Sequence, residues 1–157
     1  FNDPRHEELG CKIYLYEDSL RLISIKERSY NFYKKILMKL IIPHTPDDLL
    51  ENKSLLLENN FQNINAIDWE KGCYVGQEIT ARMNYRALIK KRLYVLKLIS
   101  GNIKPEDDII EKNKNLGKVI SKIDEYILCM LKIDLVKDKN INKEKIKINE
   151  TTEVKFL

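Results

Sequence analysis

The sequence is short of the residues that usually carry side-chain catalysis or staple a small scaffold. It has two histidines, His6 and His44, and three cysteines at positions 11, 73 and 129. A Ser-His-Asp or Cys-His set would need one of these histidines to reach a nucleophile through the tertiary fold. The cysteines form no C-x-x-C motif, which excludes a disulfide-stapled mini-protein and a zinc motif. No G-x-G-x-x-G or Walker loop is present, and we predict no metal ligands.

Long hydrophobic runs and a strong charge of one sign are also lacking. The longest apolar stretch, near residues 36–43, is interrupted by Lys39, so we predict no membrane-spanning segment. The first residues lack the apolar core of a signal peptide. Three cysteines without evident partners suit a reducing compartment, the cytoplasm or an organelle matrix. The net charge of +4 is too small to indicate a nucleic-acid partner by itself.

The pattern of apolar residues divides the 157-residue chain near residue 88. In the first part, alternation over 10–16 predicts a strand, and helical spacing over 27–41 predicts a helix that ends before Pro43. Thr45 followed by Pro46 predicts the start of a short helix. From Gly76 onward the spacing is helical again. Residues 1–88 are therefore expected to mix α and β structure.

After residue 90 the apolar period changes to two, which predicts strands. Turn residues separate the alternating stretches, and residues 137–147 are rich in lysine and asparagine, which predicts a solvated loop or hairpin. Residues 89–157 are thus expected to form a small all-β module, with strands over residues 117–123, 126–133, 145–148 and 153–157.

The densest unusual segment is K-G-C-Y-V-G-Q-E, residues 71–78. Two glycines on either side of Cys73 indicate a tight turn where the backbone approaches something closely. A helix N-terminus beyond the cysteine and the nearby Lys71 would both favour a thiolate, which predicts a reactive or ligand-binding Cys73. A small buried cysteine in a glycine turn is the alternative, and the residues alone leave both open.

Basic residues follow this segment. Arg82 and Arg86 are four apart and share a helix face, which could hold a carboxylate, such as a folate tail, or a phosphate, or simply be solvated. Asp3 and Arg5 have a different, structural interpretation, in which the aspartate caps backbone amides and the arginine pairs with it locally.

The segment 71–78, with I-T-A-R after it and K-K-R-L further on, resembles the signature of the YgfZ family. These proteins are folate-binding relatives of the glycine-cleavage T-protein. Their bacterial members are associated with iron–sulfur enzyme maintenance and tRNA modification, and their mitochondrial members with iron–sulfur cluster assembly. Weaker similarities occur in the family's order at residues 3–5, 9–10, 33–43, 57–59 and 116–121. The chain departs from the family pattern at Lys12, at His44 and over residues 84–87.

The resemblance implies an α+β fold. Residues 1–88 would be the C-terminal part of a ferredoxin-like, T-protein-like folate-binding region that carries the motif, and residues 89–157 a small C-terminal antiparallel β-barrel. Because family members are longer, we expect the chain to be a C-terminal fragment or the product of a split or decayed gene. Much of the folate site would then lie outside it.

The resemblance also implies a function. The chain would be a folate-binding accessory protein for iron–sulfur cluster assembly or repair and for iron–sulfur-dependent tRNA modification, acting through Cys73. Tetrahydrofolate would be its cofactor, and iron–sulfur proteins or cluster carriers its partners, with an indirect link to tRNA. A bacterial member would be cytoplasmic and a eukaryotic one would lie in the mitochondrial matrix. The residues that match the motif, and could contact the cofactor, are Lys71, Gly72, Tyr74, Gly76, Gln77, Glu78 and Arg82.

Two alternatives remain at this point. The chain could be a tetrahydrofolate-dependent aminomethyltransferase like the T-protein, although the cysteine-bearing motif argues against that enzyme. It could also be a gene fragment without function. The favoured hypothesis is still the accessory protein described above, rather than an enzyme.

Overall fold

The computed structural model describes residues 1–16, 19, 24–148 and 150–157. Its helices are α1 (Tyr30–Lys39), α2 (Gln77–Tyr85) and α3 (Ile133–Ile141), with 3-10 turns at Glu7–Leu9 and Phe61–Ile64. Its strands are β1 (Lys91–Ser100), β2 (Asp108–Glu111), β3 (Lys114–Ile123), β4 (Tyr126–Lys132), β5 (Lys145–Lys147) and β6 (Glu153–Phe156). No described helix has the length and apolar character needed to cross a bilayer.

The six strands form one antiparallel sheet in the order β2-β3-β4-β1-β6-β5, which curls into a small, nearly closed barrel. Ile109 of β2 and Ile146 of β5 belong to opposite edges of the sheet, yet both are fully buried in one core cluster. Phe156 fills the same core and meets Tyr94 edge to face at 5.9 Å between ring centroids. The period of two after residue 90 therefore correctly predicted strands, and the predicted β-barrel is confirmed.

Helix α3 ties the two edges of the sheet together. Its Val136 is fully buried in the barrel core. The Lys139 ammonium lies 2.9 Å from the Glu111 carboxylate at the end of β2 and 3.5 Å from that of Glu144, just before β5. The prediction of a loop or hairpin from residue 137 is wrong as far as Ile141, because the buried Val136 holds this otherwise polar stretch against the core.

Gly117 lies in β3 at a point where the paired strand β4 leaves no room for a side chain. Its φ is +154°, and a Cβ atom there would lie 2.1 Å from the carbonyl oxygen of Met130 and 2.8 Å from Cα of Leu131. Gly117 pairs with Leu131 across the ladder. A residue without a side chain is therefore required for these two strands to pair.

Helix α1 packs the first part of the chain against the barrel. It begins after Ser29, whose hydroxyl accepts a hydrogen bond from the Phe32 amide, which is why it starts three residues later than its apolar spacing predicts. Met38 packs with Leu93 and other residues on the outer face of the sheet, whereas the neighbouring Leu37 packs into a separate cluster with Ile42.

Two other expectations for the first part are wrong. Within residues 10–16 only Cys11 pairs, through a single bridge to Asn2, because no strand among the described residues lies beside the rest of the segment. The stretch from Thr45 forms turns rather than a helix. The Asp48 amide donates to the His44 carbonyl at 2.8 Å, as in one helical turn, but the Asp48 carboxylate accepts from the His44 amide at 2.7 Å and the turn is not continued. The ferredoxin-like layer and the boundary at residue 88 remain predictions.

The local pairing expected of Asp3 and Arg5 is confirmed. Arg5 donates from Nε and Nη2 to the two carboxylate oxygens of Asp3 at 2.9 and 2.7 Å, and its Nη2 also donates to the Tyr33 hydroxyl at 2.7 Å. The Asp3 side chain is only 2% exposed. These hydrogen bonds from Arg5 hold the pKa of the Asp3 carboxyl far below its usual range.

Candidate functional site around Cys73

A turn stabilised by the Asp68 side chain precedes the K-G-C-Y-V-G-Q-E segment. The Asp68 carboxylate accepts hydrogen bonds from the amides of Glu70 and Lys71 at 2.9 and 3.2 Å. Trp69 packs edge to face against Tyr85 at the end of α2, with 6.4 Å between ring centroids. The segment is thus held beside the helix that follows it.

Cys73 is exposed, so the alternative of a small buried cysteine does not hold. It lies three residues before Gly76, the N-cap of α2, which has the left-handed conformation with φ +87°. Gly72 differs, because its φ is not positive and no atom lies within 4 Å of where its Cβ would be. The glycine conformation that the motif predicts is therefore needed at Gly76 and not at Gly72.

Three motif residues contact one another at the start of α2. The Tyr74 amide donates to the Gln77 side-chain oxygen at 3.3 Å, and the Gln77 amide donates to the Tyr74 carbonyl at 3.2 Å. The Lys71 ammonium lies over the Tyr74 ring, 4.3 Å from its centroid. This cation–π contact holds the Lys71 ammonium against the Tyr74 ring, and both residues are close to the exposed Cys73 in sequence.

The remaining motif residues lie along α2. Glu78 is exposed in the first turn, where its negative charge interacts favourably with the helix dipole. Arg82 is exposed in the last turn, about 7.5 Å along the axis from Gln77 at 1.5 Å per residue. The structure therefore brings Lys71, Tyr74 and Gln77 together and leaves Arg82 apart from them.

A cleft lies between α2 and residues 54–57. Gly76, Ile79, Thr80 and Met83 line its helical side, and its volume is about 170 Å³. Pockets that enclose an organic ligand of ordinary size hold roughly 300–1,000 Å³. The cleft is too small to enclose folate, and the motif residues with an exposed positive charge that could bind such an anion are Lys71 and Arg82. Among the described residues no three His, Cys, Asp or Glu side chains are grouped to hold a metal ion.

The other two cysteines have different surroundings. Cys129 is fully buried in the barrel core, and burial raises the pKa of its thiol far above the usual value. Cys11 is exposed, like Cys73, but lies at the bridge to Asn2 and not before a helix. Cys11 is therefore the matched control for experiments on Cys73.

An acidic cavity between residues 47–59 and strands β3 and β4 is a second feature of the surface. It is lined by Asp47, Asp48, Glu58 and Glu106 among others. In the sequence, the adjacent pair Asp47-Asp48 is its one indication. Because adjacent charged residues are usually solvated, this pair does not predict a cavity.

Comparison with known proteins identifies the chain's relatives. Residues 90–155 match the family model described as the CAF17 C-terminal beta-barrel domain. The chain is 34% identical over 97 residues to the mitochondrial iron–sulfur cluster assembly factor IBA57 of Mus musculus, a stretch that covers 61% of this chain and 27% of that protein. It is 42% identical over 67 residues to the tRNA-modifying protein YgfZ of Aliivibrio fischeri, covering 43% and 21%.

A longer and weaker similarity extends over nearly the whole sequence. The chain is 23% identical over 185 aligned positions to the mitochondrial IBA57 homologue of Coccidioides immitis, covering 98% of this chain and 44% of that protein. The chain thus spans less than half the length of these relatives. The barrel match and the IBA57 and YgfZ similarities confirm the resemblance to the YgfZ family that the sequence motif carries.

Proposed function

We propose that this chain acts in iron–sulfur cluster assembly, as part of an accessory protein whose functional group is the Cys73 thiol. Two relatives are an iron–sulfur cluster assembly factor and a tRNA-modifying protein by name. The single observation that carries the proposal is the exposure of Cys73 just before the N-terminus of α2. An exposed thiol beside a helix N-terminus is accessible for transient contact with a cluster or its carrier.

The partners follow from this assignment. Iron–sulfur proteins or cluster carriers would dock at the face that presents Cys73 and the fully exposed Val75. An effect on tRNA modification would be indirect, through iron–sulfur enzymes that modify tRNA. The location would match that of the relatives, in mitochondria or in bacterial cytoplasm, and residues 1–88 would belong to a ferredoxin-like folate-binding region.

Replacing Cys73 with serine is expected to abolish this function while leaving the fold unchanged. The test is complementation of a strain that lacks its own family member, read out as the activity of iron–sulfur enzymes. Cys11→Ser, which removes the other exposed thiol, should complement as well as the unaltered chain. If Cys73→Ser restores activity to the level of Cys11→Ser, the cysteine-centred function is wrong.

We propose further that the chain contributes cationic side chains to a tetrahydrofolate site. Folate carries carboxylates on its glutamate tail, and Lys71 and Arg82 are exposed cations beside the motif. The small cleft at α2 argues against enclosure of the pterin ring by this chain. Its contribution would be to hold the tail.

Arg82→Ala is expected to weaken binding of 5-formyltetrahydrofolate to the full chain by roughly tenfold, since a charge-assisted hydrogen bond is lost. Isothermal titration calorimetry measures the affinity. Arg28→Ala is the control, because Arg28 lies over the Phe32 ring, before α1 and away from the motif. Equal affinity for both variants, or no binding by the unaltered chain, would remove folate from the proposal.

A further inference from the structure

The acidic cavity lies on the barrel side of the loop that follows α1. Its volume is about 150 Å³. One wall comes from the loop, the other from the turn before β2 and from strands β3 and β4. Its acidic lining residues are Asp47, Asp48, Glu58 and Glu106.

Asp48 is the unusual member of this lining. The residue is only 8% exposed. Its Oδ2 accepts a hydrogen bond from the His44 amide at 2.7 Å, whereas its Oδ1 is buried and has no hydrogen-bond partner. A buried carboxylate oxygen without a donor is destabilising, so a positive charge in the adjoining cavity would be favoured.

Neighbouring lysines neutralise part of the acidic lining. Lys34 forms an ion pair with Asp47, and Lys118 lies 3.6 Å from the exposed Glu106. Lys53 also lines the cavity. Asp48, which lacks a donor at one oxygen, is the group whose charge a ligand would compensate most effectively.

The rest of the lining shows what kind of cation fits. Leu50, Ile120 and Met130 provide an apolar surface beside the carboxylates. The described part of the chain contains no group of three His, Cys, Asp or Glu side chains placed to hold a metal ion. At about 30 Å³ for each water, the cavity has room for roughly five waters, which suits one small organic group.

We propose that this cavity binds an organic cation, an ammonium or guanidinium group carried on an aliphatic stem. The charged group would compensate Asp48, and the stem would lie on Ile120 and Met130, as long basic side chains cover apolar surface elsewhere. Such a cation can be free, as a diamine, or be the side chain of a lysine or arginine in a partner protein. The site lies outside the Cys73 motif and does not depend on the iron–sulfur function.

The three methionines of the chain allow a direct test. Met130 lines the cavity, Met83 lines the separate cleft at α2 and Met38 is buried against the outer face of the sheet. With methyl-labelled methionine in the full chain, addition of 1,5-diaminopentane or agmatine should shift the Met130 methyl signal and leave that of Met83, whereas Met38 packs in the same cluster as Met130 and is not a control. Pentane-1,5-diol, of the same length but uncharged, should shift none of them.

Variants locate the charge that matters. Asp48→Asn keeps the shape and an acceptor for the His44 amide but removes the charge, and should weaken diamine binding by tenfold or more. Glu106→Gln, at an exposed position where folding is not at risk, should weaken it by a smaller factor. Glu51→Gln removes a nearby exposed carboxylate that does not line the cavity, and should change binding little.

The source of the cation is decided by a second pair of probes. If Nα-acetyl-lysine amide or Nα-acetyl-arginine amide, whose side chains remain charged, binds more tightly than the diamine, the natural ligand is a side chain of a partner protein. If the diamine binds more tightly, the ligand is a free amine. A Met130 signal that does not move with any of these probes at millimolar concentration, or that moves equally with the diol, would overturn the proposal.

Discussion

Replacing Gly117 with alanine is expected to prevent the barrel from forming. The new Cβ would lie 2.1 Å from the Met130 carbonyl oxygen and 2.8 Å from Leu131 Cα, both backbone atoms that cannot move aside. The φ of +154° adds strain for any L side chain. Strain and overpacking together cost about 2–6 kcal/mol, which at its upper end equals the whole stability of a marginal small domain, roughly 5 kcal/mol.

The measurement is thermal unfolding followed by circular dichroism, with the dispersion of amide NMR signals as a check on the folded state. Gly72→Ala is the matched control, because a Cβ at Gly72 meets no atom within 4 Å and its φ is not positive. We expect that variant to differ from the unaltered chain by less than about 0.5 kcal/mol. A Gly117→Ala chain that melts at the same temperature as Gly72→Ala would show that β3 and β4 do not pair as described.

The second large effect is expected at Asp3. Asp3→Ala removes the acceptor of three Arg5 hydrogen bonds, two from the guanidinium and one from the backbone amide, at a site where the carboxylate is 2% exposed. Breaking a buried charge pair on one side is strongly destabilising, and since Arg5 itself is partly exposed we expect a loss of about 2–3 kcal/mol at pH 7. Urea unfolding measures it, and Asp138→Ala, which removes an exposed carboxylate from α3, is the control.

The same pair gives the effect a defined pH dependence. Hydrogen bonds from Arg5 lower the pKa of Asp3 in the folded chain, whereas an unfolded aspartate titrates near its ordinary value of about 3.9. The stabilisation by Asp3 is therefore complete above that value and is lost as the pH falls below it toward the folded pKa. The difference in unfolding free energy between the unaltered chain and Asp3→Ala should shrink below about pH 4. A constant difference from pH 7 to pH 3 would contradict the pairing.

Local patterns in the sequence predicted the elements whose residues alternate between a buried and an exposed face. Strand β6 is of this kind and β1 is so in part, whereas β4 was predicted although it is buried along most of its length. Helices α2 and α3 each bury a single residue, Thr80 and Val136, but α2 has a glycine N-cap that marks its start, whereas α3 has no side-chain cap and was missed. The expected strand over 10–16 failed for the opposite reason, since its alternation is clear but a strand also needs a neighbour.

The two candidate sites differ in how far sequence could predict them. The exposed position of Cys73 before a helix follows from residues close to it in the chain, so the motif signalled it. The position of Lys71 over Tyr74 is a side-chain contact that spacing does not determine. The acidic cavity joins Asp48, Glu106 and Met130, which are far apart in sequence, and only the packing of the loop against β3 and β4 brings them together.

Helix α1 assigns two consecutive residues to different cores. Leu37 packs with Ile42 and Ile64, whereas Met38 packs with Leu93, Val95 and Leu128 of the barrel sheet. Neither cluster can lose α1 without exposing apolar surface in the other. We therefore expect the cluster around Leu37 and the barrel to unfold together. A perturbation that unfolds one of them affects the other through a single turn of α1.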